Sequence, residues 1–378
     1  MKLVDPARYV QLKESRRLPS PKGVPLAIIR LLQRENYKIE DLVRLVQSDP
    51  AIAGELLRFS NAASFSNSNP VVSLSKAITI LGVLRVRVIV IAFSVMNNNR
   101  SGVCPQFDYE RFWSRALATA ISAQALASHV KINAEENFTA GLLCTLGELA
   151  LASIFPESYG EIISGNNDNT NSIKLERKAF GTDRHELNAT LLLEWGLPLE
   201  LVTAIYHCED PDIANFQDGS RIQGLTLCLN IALAYADICV AVDDRTRGVM
   251  LPNLYAKVAQ LGISQDETNS IADDVIRSWQ DWGRFLKIQT QEVTDFADLL
   301  ESVSPENQTA MNEIGQALIN LGGDWKAIQS DSLFEIPTER LVIAVENKHT
   351  NERGFYDTKL KRLLSQQETF DLINGRYW

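Results

Sequence analysis

The chain has 378 residues, 45% of them hydrophobic and 22% charged, and carries a net charge of −10. That composition excludes a disordered chain and suits two domains, or one large domain with an appendage. The acidic balance excludes non-specific DNA or RNA binding, which depends on clustered lysine and arginine, but leaves room for a nucleotide in a local basic pocket.

The first segment, MKLVDPARYVQLKESRRLP, has no apolar core of the kind a secretory signal needs. In YKIEDLVRLVQS, residues Ile39, Leu42, Val43 and Val46 recur at helical spacing. Asp49 and Pro50 then offer an N-cap and a first helical position, opening a helix with Ile52, Leu56 and Phe59 on one face. Ser73 caps a further helix carrying Leu74, Ala77, Ile78 and Leu81, which Gly82 ends. VLRVRVIVIAF (83–93) is β-branched and partly alternating, so local propensity favours a strand. A lone strand has no partner in so helical a chain, and context makes it a helix.

FTAGLLCTLGELAL (138–151) reads as one plain core helix. NNDNTNS (166–172) reads as a loop. Asp183 and Glu186 fit a capping box opening DRHELNATLLLEW, Gly196 ends that helix, and Pro198 begins the next, PLELVTAIYHC. EDPDIANFQDGS (209–220) is a loop, and GISQDETNSIADDVIRSWQDWGRFL (262–286) has the pattern of two amphipathic helices. Beyond about residue 290 the pattern loosens, and LVIAV within DSLFEIPTERLVIAVENKHT suggests a short strand. The apolar runs VLRVRVIVIAF and LTLCLNIALAYADICVAV are broken by charge or too short for a clean membrane span, and read as core.

The five cysteines, Cys104, Cys144, Cys208, Cys228 and Cys239, form no CxxC pair and read as buried free thiols of a reducing, cytoplasmic compartment. Four histidines occur, His129, His185, His207 and His349. The short connection at Gly196 implies an antiparallel helix pair that lets His185 and His207 approach, as structural or as ligating groups. Asp237 sits in a run apolar on nearly all sides, where a carboxylate needs a partner. Asn230 shares its face, and His185 and His207 are candidate partners. The group reads either as a metal or phosphate site or as a buried polar network holding helices in register. Arg85, Arg87 and Arg115 are candidates for an anion site. No phosphate loop, GxSxG elbow or HExxH motif appears.

In order, LPSPKGVPLAIIRLL, VRLVQSDPAIAGELLRFSNAAS, VSLSKAITILG, FDYERFWSRALATA, FTAGLLCTLGELAL, ERKAFGTDRHELNATLLLEWGLP and AIYHCED resemble an HDOD domain over residues 16–285. Residues 1–15 are then an extension, and 286–378 a helical linker with the start of an output domain. HDOD domains are similar to the HD and HD-GYP metal-dependent phosphohydrolases. The resemblance implies an all-α fold: an HD-like helical core with an N-terminal helical lobe, followed by a less regular segment of α/β character.

In catalytic relatives, divalent ions are held by scattered histidines, a His-Asp pair and a late aspartate. Matched by position, His185, His207 and Asp237 stand at such places. Ser114 or Arg115, the pair Cys144 and Thr145, and Cys208 stand where ligands are expected. The resemblance therefore implies a non-enzymatic signalling or scaffold module with no cofactor beyond at most one weakly bound divalent metal. Its partners would be signalling proteins, an output or sensor domain, or cyclic-dinucleotide machinery, with no nucleic acid and no membrane. The alternatives are a residual metal-dependent phosphohydrolase using His185, His207 and Asp237, and a cyclic-dinucleotide-binding regulator. NKHTNERGFYDTKLKRLL (347–364) is faintly similar to the opening of a GGDEF-type cyclase domain, without its signature motif.

Overall fold

The computed structural model describes residues 1–32, 34, 36–61, 70–165, 169–293 and 296, and beyond them 325–327, 333–336, 340–347, 353–357 and 362–365. The described residues fall into two compact units, Met1–Ala236 with Ser278–Thr290, and Asp237–Arg277 with Gln291–Trp378.

The first unit is helical throughout. It opens with α1 (Pro6–Glu14), started by Asp5, whose carboxylate accepts from the Arg8 amide at 3.0 Å. The N-terminal lobe is α2 (Val24–Leu32), α3 (Ile39–Gln47), α4 (Pro50–Ser60), α5 (Leu74–Leu81) and α6 (Val83–Asn98). Leu42 and Val46 are buried as the spacing of α3 requires, and Ser73 caps α5 through the Lys76 amide. VLRVRVIVIAF lies inside α6, where Val86 and the run Ile89–Met96 are buried. Burial against neighbouring helices overrides the β propensity of its valines.

The core helices are α7 (Tyr109–Ala125), α8 (Ala134–Leu143), α9 (Leu146–Ile154), α10 (Pro156–Gly165), α11 (Asn169–Phe180), α12 (Arg184–Glu194), α13 (Leu199–His207) and α14 (Arg221–Cys239). Two glycines set their spacing. A Cβ at Gly141 would lie 2.8 Å from the Ala120 Cα and the Thr119 carbonyl oxygen, so α7 and α8 meet backbone to backbone. A Cβ at Gly147 would lie 1.9 Å from the Arg184 carbonyl oxygen, which presses the start of α9 onto the start of α12. Gly196 ends α12 with a φ of 78°, and the Leu197 amide reaches back to the Leu192 carbonyl at 3.1 Å, a left-handed cap that suits glycine.

Three local expectations need correction. The stretch 138–151 is not one helix: α8 ends at Leu143 and α9 starts at Leu146, with Cys144 and Thr145 at the break. The supposed loop 166–172 already contains the first turn of α11 from Asn169, while 166–168 lie outside the described residues. The region 262–286 forms a single helix, α16 (Gln265–Leu286), following α15 (Asp244–Ala259). The stretches Ala134–Ile154 and Arg221–Cys239 are apolar and long enough to cross a membrane by composition, yet 89% and 72% of an 18-residue window in each is buried inside the fold.

The second unit holds α15, most of α16 and an antiparallel sheet. Its strands are β1 (Trp325–Ala327), β2 (Leu333–Ile336), β3 (Arg340–Asn347), β4 (Arg353–Asp357) and β5 (Arg362–Leu363). β1 and β2 both pair with β3, and β4 pairs with β3 and β5. The register sets Leu333 opposite Ile343, Val342 opposite Asp357 and Tyr356 opposite Leu363. LVIAV is thus the middle of β3. Within 347–364 the described residues are Asn347 at the end of β3, β4, β5 and Leu364, and the remainder, including His349, lies outside them. Arg247 holds the start of α15, donating to the Ala241 carbonyl at 2.9 Å and to the Gln291 side chain at 3.0 Å.

Candidate functional site

The break between α8 and α9, the start of α12 and the end of α13 converge in the first unit. Cys144 closes α8 and Cys208 closes α13. The last carbonyls of a helix lack intrahelical partners, and here buried amides take them. Asn188 Nδ2 donates to the Leu143 and Cys144 carbonyls at 3.1 and 2.7 Å, and Asn230 Nδ2 donates to the Cys208 carbonyl at 2.7 Å. Both cysteines are buried and free. The Cys144 thiol donates to the Gly141 carbonyl at 3.1 Å. Hydrogen bonding to Cys144 and burial push the Cys208 thiol well above its ordinary range, which keeps it protonated. Thr145 is buried and starts α9 without a side-chain cap bond.

Beside the cysteines lies a closed set of charges. The Arg184 amide and Nε both donate to the Glu176 carboxylate, at 2.9 and 2.8 Å, and its Nη2 stands 2.6 Å from Oε1. Glu148, 19% exposed, lies 3.9 Å from Arg184 and 3.8 Å from Arg115. His185 Nε2 lies 3.2 Å from Glu209 Oε2. Glu148, Glu176 and Glu209 are thus three acids facing two permanent cations, Arg115 and Arg184, and one imidazole. A proton on His185 makes the set neutral.

The electrostatics follow this count. Burial works against a charged His185, but the carboxylate of Glu209, 3.2 Å away, outweighs it and raises the imidazole above its ordinary value of 6.5. Burial likewise opposes the Glu209 carboxylate, yet His185, Arg184 and Arg115 hold it at about 2. Burial raises Glu148 against the pull of Arg115 and Arg184.

One pH dependence results. A histidine raised on folding adds stability that is full below its unfolded value, near 6.5, and lost as pH rises through the folded value. The urea midpoint of the chain should therefore decline with rising pH above about 6.5. His185→Gln should remove that decline, and an unchanged slope in the variant would show that another group carries it. The Glu209 contribution has the opposite sign: it is present above about 4.5 and lost as pH falls toward 2.

The residues expected at a metal site are dispersed among several roles. Ser114 turns to the Gln289 carbonyl at 2.6 Å, and its own carbonyl accepts from Trp279 Nε1 at 2.9 Å. Arg115 joins the charge set. His207 is half-buried between Tyr206 and Phe216, with ring centroids 4.8 and 5.6 Å away, and burial lowers its imidazole. Asp237 is half-buried near the end of α14 and belongs to the second unit. Asn230 serves carbonyls at the end of α13 rather than a histidine. Arg87 is engaged by the Gly196 and Leu32 carbonyls at 2.7 and 2.8 Å, which makes it a helix tie rather than an anion ligand. The side chain of Arg85 lies outside the described part of the chain. Among the described residues, no three His, Cys, Asp or Glu side chains are grouped to hold one metal ion.

Sequence reasoning missed Glu148, Glu176, Arg184 and Glu209 as a set. The available signal was Glu148, the single charge in the run NFTAGLLCTLGELALASIFP, where burial demands a cation.

Residues 18–211 match the HDOD domain model. The response regulator MmoQ of Methylococcus capsulatus str. Bath is 32% identical, with 67% of this chain and 97% of that one covered and a TM-score of 0.43. A Shewanella amazonensis SB2B protein, named as a candidate phosphohydrolase, is 23% identical with a TM-score of 0.54, over 75% of this chain and 99% of that one, and shares the fold. An uncharacterized protein of Treponema pallidum (strain Nichols) is 25% identical over 193 residues, which are 50% of this chain and 37% of that relative's length. With its HDOD match covering half its length, the chain belongs to the HDOD domain family.

Proposed function

We propose that the chain is a non-enzymatic signalling module that works through protein–protein contacts in the cytoplasm. One observation carries this reading: the ground that a metal centre would need is taken by the chain's own charges. A divalent ion between His185 Nε2 and Glu209 would compete with the positive charges of Arg184 and Arg115, which already act on the Glu209 carboxylate. Cys144 and Thr145 supply no imidazole or carboxylate, and Cys208 stays a thiol. These residues do not fit a metal centre that activates water, which needs several anionic or neutral donors free to point inward. The reading is also supported by the 32% identity to a protein named as a response regulator. Five buried free cysteines suit a reducing compartment.

The test is a turnover assay of the full chain with Mn²⁺, on bis(p-nitrophenyl) phosphate and on cyclic di-GMP. The expected result is no turnover above the protein-free rate, and no change on His185→Gln. Turnover that falls in His185→Gln would reject the reading in favour of a hydrolase. Retention of a signalling protein on the immobilised chain is the positive counterpart.

A further inference from the structure

Residues 1–14 make a series of polar contacts to α12 and to the end of α11. Lys2 Nζ stands 2.8 Å from Glu186 Oε1. The Val4 amide donates to Thr190 Oγ1 at 3.1 Å. The Tyr9 hydroxyl and the Lys13 ammonium both meet Glu194. Arg8 Nη2 donates to the Phe180 carbonyl at 3.2 Å. On α12 the receiving residues are Glu186, Thr190 and Glu194, spaced by one helical turn and preceded by Asp183 at the N-cap. They form one acidic stripe on one face.

The stripe asks for a cation. Glu186 is 1% exposed, and its carboxylate is served by Lys2, by the Thr182 hydroxyl at 3.2 Å, and by Arg177 at 3.8 Å. Arg177 is itself drawn to Asp183 at 2.6 Å. In a full capping box Glu186 would turn back to the amide of Asp183; here it faces Lys2 instead. Without Lys2, a buried carboxylate loses its closest cation, and any lysine or arginine delivered to that spot would be favoured.

The covering segment is suited to exchange. Among its first fourteen residues only Val4 and Leu12 are buried. A nine-residue helix such as α1 is marginal by itself. Segments with few buried apolar contacts open at low free energy while the helix beneath stays folded. The segment is also basic: residues 1–17 hold five lysines and arginines against two acids.

We propose that the stripe of Asp183, Glu186, Thr190 and Glu194 is a docking groove for a basic helical segment of a partner protein, covered by residues 1–14 acting as an internal stand-in. This deepens the signalling reading above and rests on it. The partner segment carries a lysine or arginine to reach Glu186 and a second cation or a tyrosine about two turns on for Glu194. Displacement frees residues 1–14 and changes the setting of Glu186, which neighbours His185 in sequence.

The experiment uses the full chain and a labelled peptide with the sequence of residues 1–17. Lys2→Glu with Lys13→Glu reverses two largely exposed side chains, 71% and 49% exposed, so the fold remains. Hydrogen exchange in residues 1–14 should rise in that variant. The peptide should bind it at least about tenfold more tightly than it binds the wild type, whose groove is occupied. Binding should weaken with salt and be lost when Glu186→Gln and Glu194→Gln are added. Glu194→Lys alone should also release residues 1–14 but gain no peptide binding.

Unchanged protection of residues 1–14 in the reversed variant, or equal peptide binding to both chains, would overturn the proposal. Dimers of the wild type formed by exchange of residues 1–14 would overturn it too, because the occupant would then be a second copy. Metal-dependent turnover would sink the signalling reading while leaving the peptide result readable by itself.

Discussion

Arg184→Ala is expected to cost the helical unit about 3–5 kcal/mol, the usual result of removing one partner from a buried ion pair. Glu176 is fully buried, and Arg184 gives it both a main-chain and a side-chain hydrogen bond. Alanine keeps the amide bond but leaves the carboxylate without its guanidinium. For a unit of this size that corresponds to a fall of roughly 10 °C in the first thermal transition. The second substitution in the cycle decides the cause. Glu176→Leu added to Arg184→Ala removes the stranded charge and should recover most of the loss. A double variant as unstable as the sum of the two single variants would show that shape, not charge, sets the cost.

The other large effect is expected at Gly147. Its Cβ position lies 1.9 Å from the Arg184 carbonyl oxygen and 2.7 Å from the carbonyl carbon, so alanine meets backbone that no rotamer change can clear. α9 and α12 must separate, and overpacking of this kind costs roughly 3 kcal/mol or more. The same separation would draw Arg184 away from Glu148. Gly54→Ala gives the contrast. Its Cβ would have nothing within 4 Å, it lies inside α4, and alanine there should add up to about 1 kcal/mol of stability. Denaturant midpoints of the two variants should therefore move in opposite directions. Equal and small shifts would mean that the close contact of α9 with α12 relaxes easily.

Much of the helical architecture was legible because it is written at short range. The periodicity of Ile39 to Val46, the cap at Ser73, and the pair of Asp183 with Gly196 are all within one or two turns of what they control. The run at 83–93 needed context as well as propensity. The break at Cys144 and Thr145 was hidden, because small apolar residues continue on both sides and no proline or cap marks the end of α8. α16 was split on paper by its scattered polar residues, although its helical phase never slips.

The site was less legible than the fold. His185 was read as a candidate partner of His207 and Asp237, but the carboxylate it meets, Glu209, follows the end of another helix. Glu176 and Arg184 sit on different helices, α11 and α12, and nothing in helical spacing links them. A charge network of this kind is made by packing, and the residues expected at metal-ligand positions take other partners. His185 faces a carboxylate, Ser114 and Asn230 face main-chain carbonyls, and Arg115 brings a positive charge toward Glu148.

The central claim is that internal charges occupy the place of a divalent centre. Equilibrium binding of Mn²⁺ to the full chain, read by electron paramagnetic resonance at neutral pH, tests it most directly. The account predicts no stoichiometric Mn²⁺ site that depends on His185, with identical isotherms for the wild type and His185→Gln. One tightly held ion per chain, lost in His185→Gln, would contradict it.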